Sequence, residues 1–195
     1  LKSGIAPVRE MLQAGVNVAL GNDNNCANDA QNLFQAMKFA ALLPEVAGPD
    51  FGGWEPAREA LRMATAGGAK AVLMQDAIGS LEVGKRADIV LLNLNTQAFT
   101  PLNDPVRQLV YSETGHSVDT VLVNGNVVME NKAFVNLDEK ALLQEANEIG
   151  ESLREEHEKA ARWANELRPY LERMYWRCLE QDVSTNRYTR PHKPR

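Results

Sequence analysis

In this 195-residue sequence, the residue best placed for chemistry is an aspartate two positions past a glycine, at the end of a short apolar run. Asp23 lies in Leu20-Gly21-Asn22-Asp23-Asn24-Asn25. A carboxylate at such a position can bind a hard divalent cation and exchange protons with bound water. The same residue types also form Asx turns, in which Asp and Asn bond their own backbone, and residue type alone favours that reading. Cys26 is a potential nucleophile, but no nearby histidine would activate it, which makes it a small pocket-wall residue. Asn24 and Asn25 could touch a substrate at the same loop, whereas Asn28, three residues before Gln31, reads first as a helix N-cap with its N3 partner. The only histidines are His116, His157 and His192, and no His-x-His pair occurs. They fall in a loop, on the charged side of a long helix and in a basic tail, where surface and packing roles outweigh metal ligation.

The elements that would position Asp23 alternate in period. Residues Ala6 to Ala14 read as a short helix with Pro7 at its first position and Gly15 just past its last turn. Val16 to Leu20 is a β-type run. A second helix then carries Leu33, Phe34, Met37, Ala40 and Ala41 at spacings of three and four and ends near Pro44. Helix, strand, loop, helix is how α/β proteins with parallel sheets are written, and it sets the loop from Gly21 to Asn28 at the C-terminal end of a strand. In a barrel of this kind the chemistry sits at that end.

Residues 44 to 53 form a Gly- and Pro-containing linker. Pro56 to Met74 then gives one or two helices interrupted at Gly67-Gly68. From Gly79 the texture turns to β: Ala87 to Leu94 supplies a strand, and Val118 to Val123 with Asn126 to Glu130 flank Asn124-Gly125, a strong hairpin signal because both residues tolerate positive φ. Between about Asp138 and Gln181 apolar residues recur in a long amphipathic helix, with a kink or break expected near Arg168 because Pro169 has no N–H. Its aromatic group, Trp163, Tyr170, Tyr175 and Trp176, has the spacing of a buried stripe and fits core or subunit contact better than base stacking.

Composition narrows the possible partners. A net charge of −5 argues against a general electrostatic fit to nucleic acid, the basic tail at Arg187 to Arg195 notwithstanding. No apolar run approaches the roughly 20 residues a membrane helix needs. Two cysteines, Cys26 and Cys178, in no metal or disulfide spacing suggest a reducing, cytoplasmic setting. The first residues contain neither an initiator Met nor a secretory signal, so the sequence is expected to be part of a longer protein.

The run from Ser3 to Asp23 resembles the seventh helix and eighth strand of amidohydrolase barrels of the cytosine deaminase and triazine hydrolase type. The usual ending there is Gly-Thr-Asp-Gly, and this sequence departs from it with Asn22 and Asn24. Ile78-Gly79-Ser80-Leu81-Glu82-Val83-Gly84-Lys85-Arg86-Ala87-Asp88 is similar to the Gly-x-Leu-x-x-Gly-x-x-Ala-Asp segment that leads from the barrel into the small β-domain. Val121 to Gly125 resembles that domain's hairpin. The three matches come in family order and cover roughly residues 4 to 134. The resemblance implies an α/β fold: the C-terminal portion of a TIM-type (β/α)8 hydrolase barrel (1–78), strands of a composite β-sandwich (79–136), and a C-terminal amphipathic helix with a basic tail (137–195).

In that family four upstream histidines and this aspartate hold one divalent metal, zinc or iron, whose water attacks an aminated or halogenated ring carbon. Asp23 is the one residue carried over, as metal ligand and as proton carrier. The implied reaction is hydrolytic deamination, or a related displacement such as dechlorination, of a nitrogen heterocycle, in a homo-oligomer whose N-terminal barrel half lies outside this sequence. Alternatives are ring-opening hydrolysis of a cyclic amide, and a noncatalytic interaction module built on the long helix. On its own the piece is expected to be inactive, since one carboxylate does not hold a catalytic metal.

Overall fold

The computed structural model describes residues 4–23, 30–47 and 55–181. Two compact units separate in it, one up to Val135 and one from Asn136 onward.

The first unit opens with α1 (Val8–Gln13). Pro7 occupies the capping position, one residue earlier than the first-turn place expected, and Gly15 at φ +77° closes the far end as anticipated. A left-handed residue just past a helix is where glycine carries no Cβ penalty. Helix α2 (Leu33–Ala47) starts at a different cap from the expected one. Asn32 Oδ1 accepts from Gln35 N at 3.2 Å, which makes Asn32 the N-cap; Asn28 lies outside the described residues. Pro44 falls inside α2 and does not end it. It removes a single backbone donor within the final turn, and its ring is buried.

Helices α3 (Pro56–Ala64) and α4 (Ala66–Ala71) are separated at Thr65, whose φ −117° and ψ −91° lie outside the helical region. The expected interruption at Gly67-Gly68 is not there, because both glycines sit inside α4. Gly67 serves a close approach: a Cβ on it would meet Val18 O at 2.5 Å. The apolar run at 16–20 therefore lies against α4. It joins no ladder among the described residues, and the contacts shown for it are with helices. Leu20 N donates to Met63 O at 3.2 Å, Val16 N to Met11 O at 2.9 Å, and the Asn17 side chain to Gly67 O at 3.0 Å.

The core of the unit is Met37 and Ala41 of α2, Ala57, Ala60 and Met63 of α3, and Val110 of α5 (Pro105–Tyr111), with Val18 and Leu20 packed against it. Helix α5 was not anticipated. Asp104 caps it, Oδ1 accepting from Val106 N and Arg107 N at 3.0 Å each, with Pro105 supplying the first helical position. A capping aspartate followed by proline is a start signal visible in the sequence, here inside a stretch read wholly as β.

The strands form one four-stranded antiparallel sheet in the order β1 (Ile89–Leu92), β2 (Val118–Val123), β3 (Asn126–Glu130), β4 (Ala133–Phe134). A second sheet that would make it a sandwich is absent among the described residues. β1 is shorter than expected because its register with β2 shifts between Leu91 and Leu92, and Asn93 N turns to Ser117 O. The β2–β3 turn has Asn124 at φ 50° and Gly125 at φ 81°, the left-handed pair of a type I′ hairpin. Asn131 at φ 49° and Lys132 at φ 65° repeat the geometry between β3 and β4. Asp88 Oδ1 accepts from Asn124 N at 2.7 Å and Ala87 O accepts from Gly125 N at 3.0 Å. The Ala-Asp pair thus clamps the hairpin tip.

The second unit is α6 (Glu139–Ser152), capped by Asp138 Oδ1 on Ala141 N, and α7 (Arg154–Leu179). The interruption falls at Leu153, φ −91° and ψ −1°, and α7 runs through Pro169 without a break. Ser152 Oγ bonds back to Ile149 O at 2.8 Å, a bond that competes with the helical ladder. The ladder nevertheless continues on both sides, Leu153 N to Ile149 O and His157 N to Leu153 O. Of the aromatic group expected to make core or subunit contact, Trp163 and Tyr170 are exposed in this chain, 64% and 63% accessible, and Tyr175 is half-buried.

Candidate functional site around Asp23

Asp23 ends the 16–23 run at the surface, and α2 fixes where it ends. Gln31 Nε2 donates to the Asp23 carbonyl oxygen at 2.6 Å. The Asn22 amide faces the Asn32 main chain and, suitably oriented, donates to Asn32 O and accepts from Asn32 N at 3.2 Å each. Leu20 N on Met63 O holds the other side. Asn22, the departure from the usual family residue, is therefore a structural tie, and Asp23 is anchored through its main chain with its carboxylate in an exposed residue.

Asn32 extends the network. Its Nδ2 donates to Thr114 O at 2.8 Å, joining the α2 cap to the turn after α5. Glu113 organises that turn. Its residue is 2% exposed, and Oε1 accepts the backbone N–H groups of Thr114 at 3.0 Å, Gly115 at 2.6 Å and Ser117 at 3.1 Å. Burial pushes the carboxyl pKa up. The Ser117 hydroxyl and the three backbone donors outweigh burial and hold it below the usual carboxylate range. Oε2 is buried without a hydrogen-bond partner. Glu113 was not singled out from sequence; the available signal is an acidic residue two before a glycine at a helix end, a common pattern.

Near the β module, Lys85 Nζ donates to Gln75 O at 2.8 Å and Ser80 Oγ at 2.6 Å and pairs with Glu82 at 3.3 Å. The Ser80 hydroxyl and the Lys85 ammonium hold the Glu82 carboxyl below its ordinary range. Gly79, at φ +90° with Ala69 Cβ 2.5 Å from where its own Cβ would stand, lets this segment pass against α4.

The other candidates do not converge on Asp23. His116 is exposed in the turn before β2, its carbonyl taking Lys132 Nζ at 2.9 Å. His157 is exposed on α7. His192, Cys26, Asn24 and Asn25 lie outside the described residues. Among the described residues no group of three or more His, Cys, Asp or Glu side chains could hold a metal ion. Asp23 fits the chemistry of a single hard oxygen ligand, so these residues do not by themselves fit a metal centre.

The profile of the amidohydrolase family matches residues 1–128, and the chain belongs to that family. It is 42% identical over 153 residues to a 5-methylthioadenosine/S-adenosylhomocysteine deaminase of Caldanaerobacter subterraneus subsp. tengcongensis, covering 78% of this chain and 35% of that protein. It is 43% identical over 152 residues to an S-triazine hydrolase of Gordonia rubripertincta, covering 76% and 32%. Among solved structures, an adenosine deaminase from Xanthomonas campestris with bound zinc superposes with a TM-score of 0.74 at 33% identity, over 78% of this chain and 34% of that one. The chain thus spans about a third of the length of these relatives. The fold is that of the C-terminal portion of an amidohydrolase, α/β with a small antiparallel sheet and a long helix. No helix among the described residues is long and apolar enough to cross a membrane.

Proposed function

We propose that the protein carrying this chain is a metal-dependent hydrolase that displaces an amino group, or a comparable leaving group such as chloride, from an electron-poor carbon of a nitrogen heterocycle. The observation that carries the reading is Asp23, held at the end of its run by Asn22 and Gln31, in a chain whose relatives are a nucleoside deaminase and a triazine hydrolase. Both ring types present an amidine-like carbon open to attack by an activated water. A single zinc or iron ion, with its other donors upstream of this sequence, would supply that activation. Asp23 contributes one oxygen ligand and carries the proton, taking it from the water at its carboxylate and returning it to the departing group. Residues 1–78 would complete the barrel wall, 79–136 the β-domain and 137–195 a helical appendage, in a cytoplasmic homo-oligomer.

The test is ammonia release from adenosine-type nucleosides and aminotriazines, chloride release from chlorotriazines, and ring opening of cyclic amides, using the whole protein with measured metal content. Ammonia or chloride release is expected, with Asp23→Asn lowering turnover by about 10²–10⁴-fold at an unchanged circular dichroism spectrum. Ring opening alone, or full activity in Asp23→Asn, would overturn the proposal.

A further inference from the structure

Between Leu142 and Met174 the α6–α7 unit carries one residue per half-turn on a single seam, at alternating spacings of four and three. Every seam residue is apolar except Glu156. That is a heptad pattern sustained for nearly five repeats, beyond the three to four that mark a coiled coil. The seam is open: Leu142 is 49%, Ile149 51% and Met174 59% exposed. The chain does not cover it by folding α6 back on α7, because such a hairpin would have to turn near residues 156–160 and α7 is helical through them.

We propose that the occupant of this seam is a second copy of the chain, paired antiparallel about a two-fold axis near residue 158. The sequence chooses both direction and register. A parallel pair would set Glu156 against Glu156 inside the seam and stack two Trp163 and two Tyr170 side chains in single layers. Like charges directly opposed oppose association. Antiparallel, with Leu142 opposite Met174 of the second copy, Ala146 meets Tyr170 and Ile149 meets Leu167. Large residues then face small or medium ones along the seam, as interdigitated packing requires. Leu153, at the loosened turn, meets Trp163, and Glu156 meets Ala160 and not another carboxylate.

Two pairs on the flanks favour the same register, and one opposes it, since Lys159 of each copy faces the other across the axis, outside the seam. Leu143 and Leu171, exposed and just beside the seam, fall opposite each other, and Glu145 falls opposite Arg173. Both pairs occur twice by symmetry. Among the described residues Glu145 and Arg173 form no ion pair, Arg173 lying over the Tyr170 ring of its own helix at 5.0 Å, whereas the charge of Lys159 is already met by Glu155 at 2.7 Å.

The inference deepens the proposed self-association and is independent of catalysis. In sedimentation and light scattering of the whole protein, Trp163→Glu is expected to weaken association through this unit. Glu145→Arg and Arg173→Glu each turn two attractive pairs repulsive and should weaken it about tenfold. Mixing the two variants in equal amounts should restore wild-type association, since every pair is again opposite in sign. Because a contact elsewhere could hold the oligomer together, Glu145→Cys and Arg173→Cys chains lacking Cys26 and Cys178 are also mixed with a short bismaleimide. A cross-link in the mixture and in neither variant alone supports the antiparallel seam. Absence of that mixed cross-link, or a cross-link of Glu145→Cys with itself, overturns the proposal whatever the activity. So does a monomeric protein whose Trp163 fluorescence reports burial by its own chain.

Discussion

Glu113 gives the sharpest forecast, because its geometry states both a magnitude and a pH dependence. Its buried Oε1 receives three backbone N–H groups. Replacing it with Ala would leave the buried Ser117 N–H without a partner, while the amides of exposed Thr114 and half-buried Gly115 can turn to water. A buried unsatisfied donor costs about 1–3 kcal/mol, and with the bonds lost at the two wetter amides about 2–4 kcal/mol is expected for Glu113→Ala. Glu113→Gln keeps an acceptor oxygen at the same place and removes only the charge assistance, so about 1–2 kcal/mol is expected, since charged hydrogen bonds exceed neutral ones by roughly that amount. The folded carboxyl titrates below its ordinary value. Its charged form is therefore favoured by folding, and its contribution is fully present above the unfolded value of about 4.3 and lost as pH falls through the lower folded value.

Urea unfolding of wild type, Glu113→Gln and Glu113→Ala at pH 7 and in steps down to pH 3 tests this, with amide hydrogen exchange at Thr114, Gly115 and Ser117 locating the effect. Wild type and Glu113→Gln should converge under acid, while Glu113→Ala stays less stable. Equal stabilities at pH 7 with unchanged protection of those three amides would refute the reasoning.

Three further perturbations probe the Asn32 cap, the packing of the 16–20 run and the β2–β3 hairpin. Asn32→Ala removes both the α2 cap and the bond to Thr114 O; about 1–2 kcal/mol is expected, together with faster exchange at the Asn22–Asp23 end of the run and lower turnover, whereas an effect on stability alone would show that the cap does not position Asp23. Gly67→Ala drives a Cβ onto Val18 O at 2.5 Å and should cost roughly 1–3 kcal/mol as overpacking. Gly125→Ala meets nothing within 4 Å, so its cost of about 1–2 kcal/mol comes from positive φ alone, and thermal melts that rank the two the other way would contradict the packing.

What the sequence determined by itself was whatever depends on near neighbours in the chain. The Asn124-Gly125 hairpin, the glycine after α1 and the extents of β2 and β3 were legible because turn geometry and alternation are local properties. The Asp23 neighbourhood was legible as a family resemblance, and so was the Ala-Asp segment, although only the fold showed that Asp88 clamps the hairpin.

Tertiary structure decided the rest. The 16–20 run reads as a strand, yet among the described residues it joins no ladder: the N–H groups of Val16 and Leu20 go to carbonyls of α1 and α3, and Val18 passes against Gly67 of α4. The α3–α4 interruption falls at Thr65 and not at the glycines, because Gly67 is needed where Val18 passes. Pro44 and Pro169 both lie inside helices. A missing N–H costs one hydrogen bond, which a surrounding helix can absorb when the proline ring does not obstruct its packing. The Asn32 side chain donates to Thr114 O in the turn that Glu113 organises, and no local pattern announces a contact across some eighty positions. The α6–α7 stripe shows the converse: periodicity fixed which face is apolar, but only the fold revealed that α6 and α7 do not cover it by folding on each other.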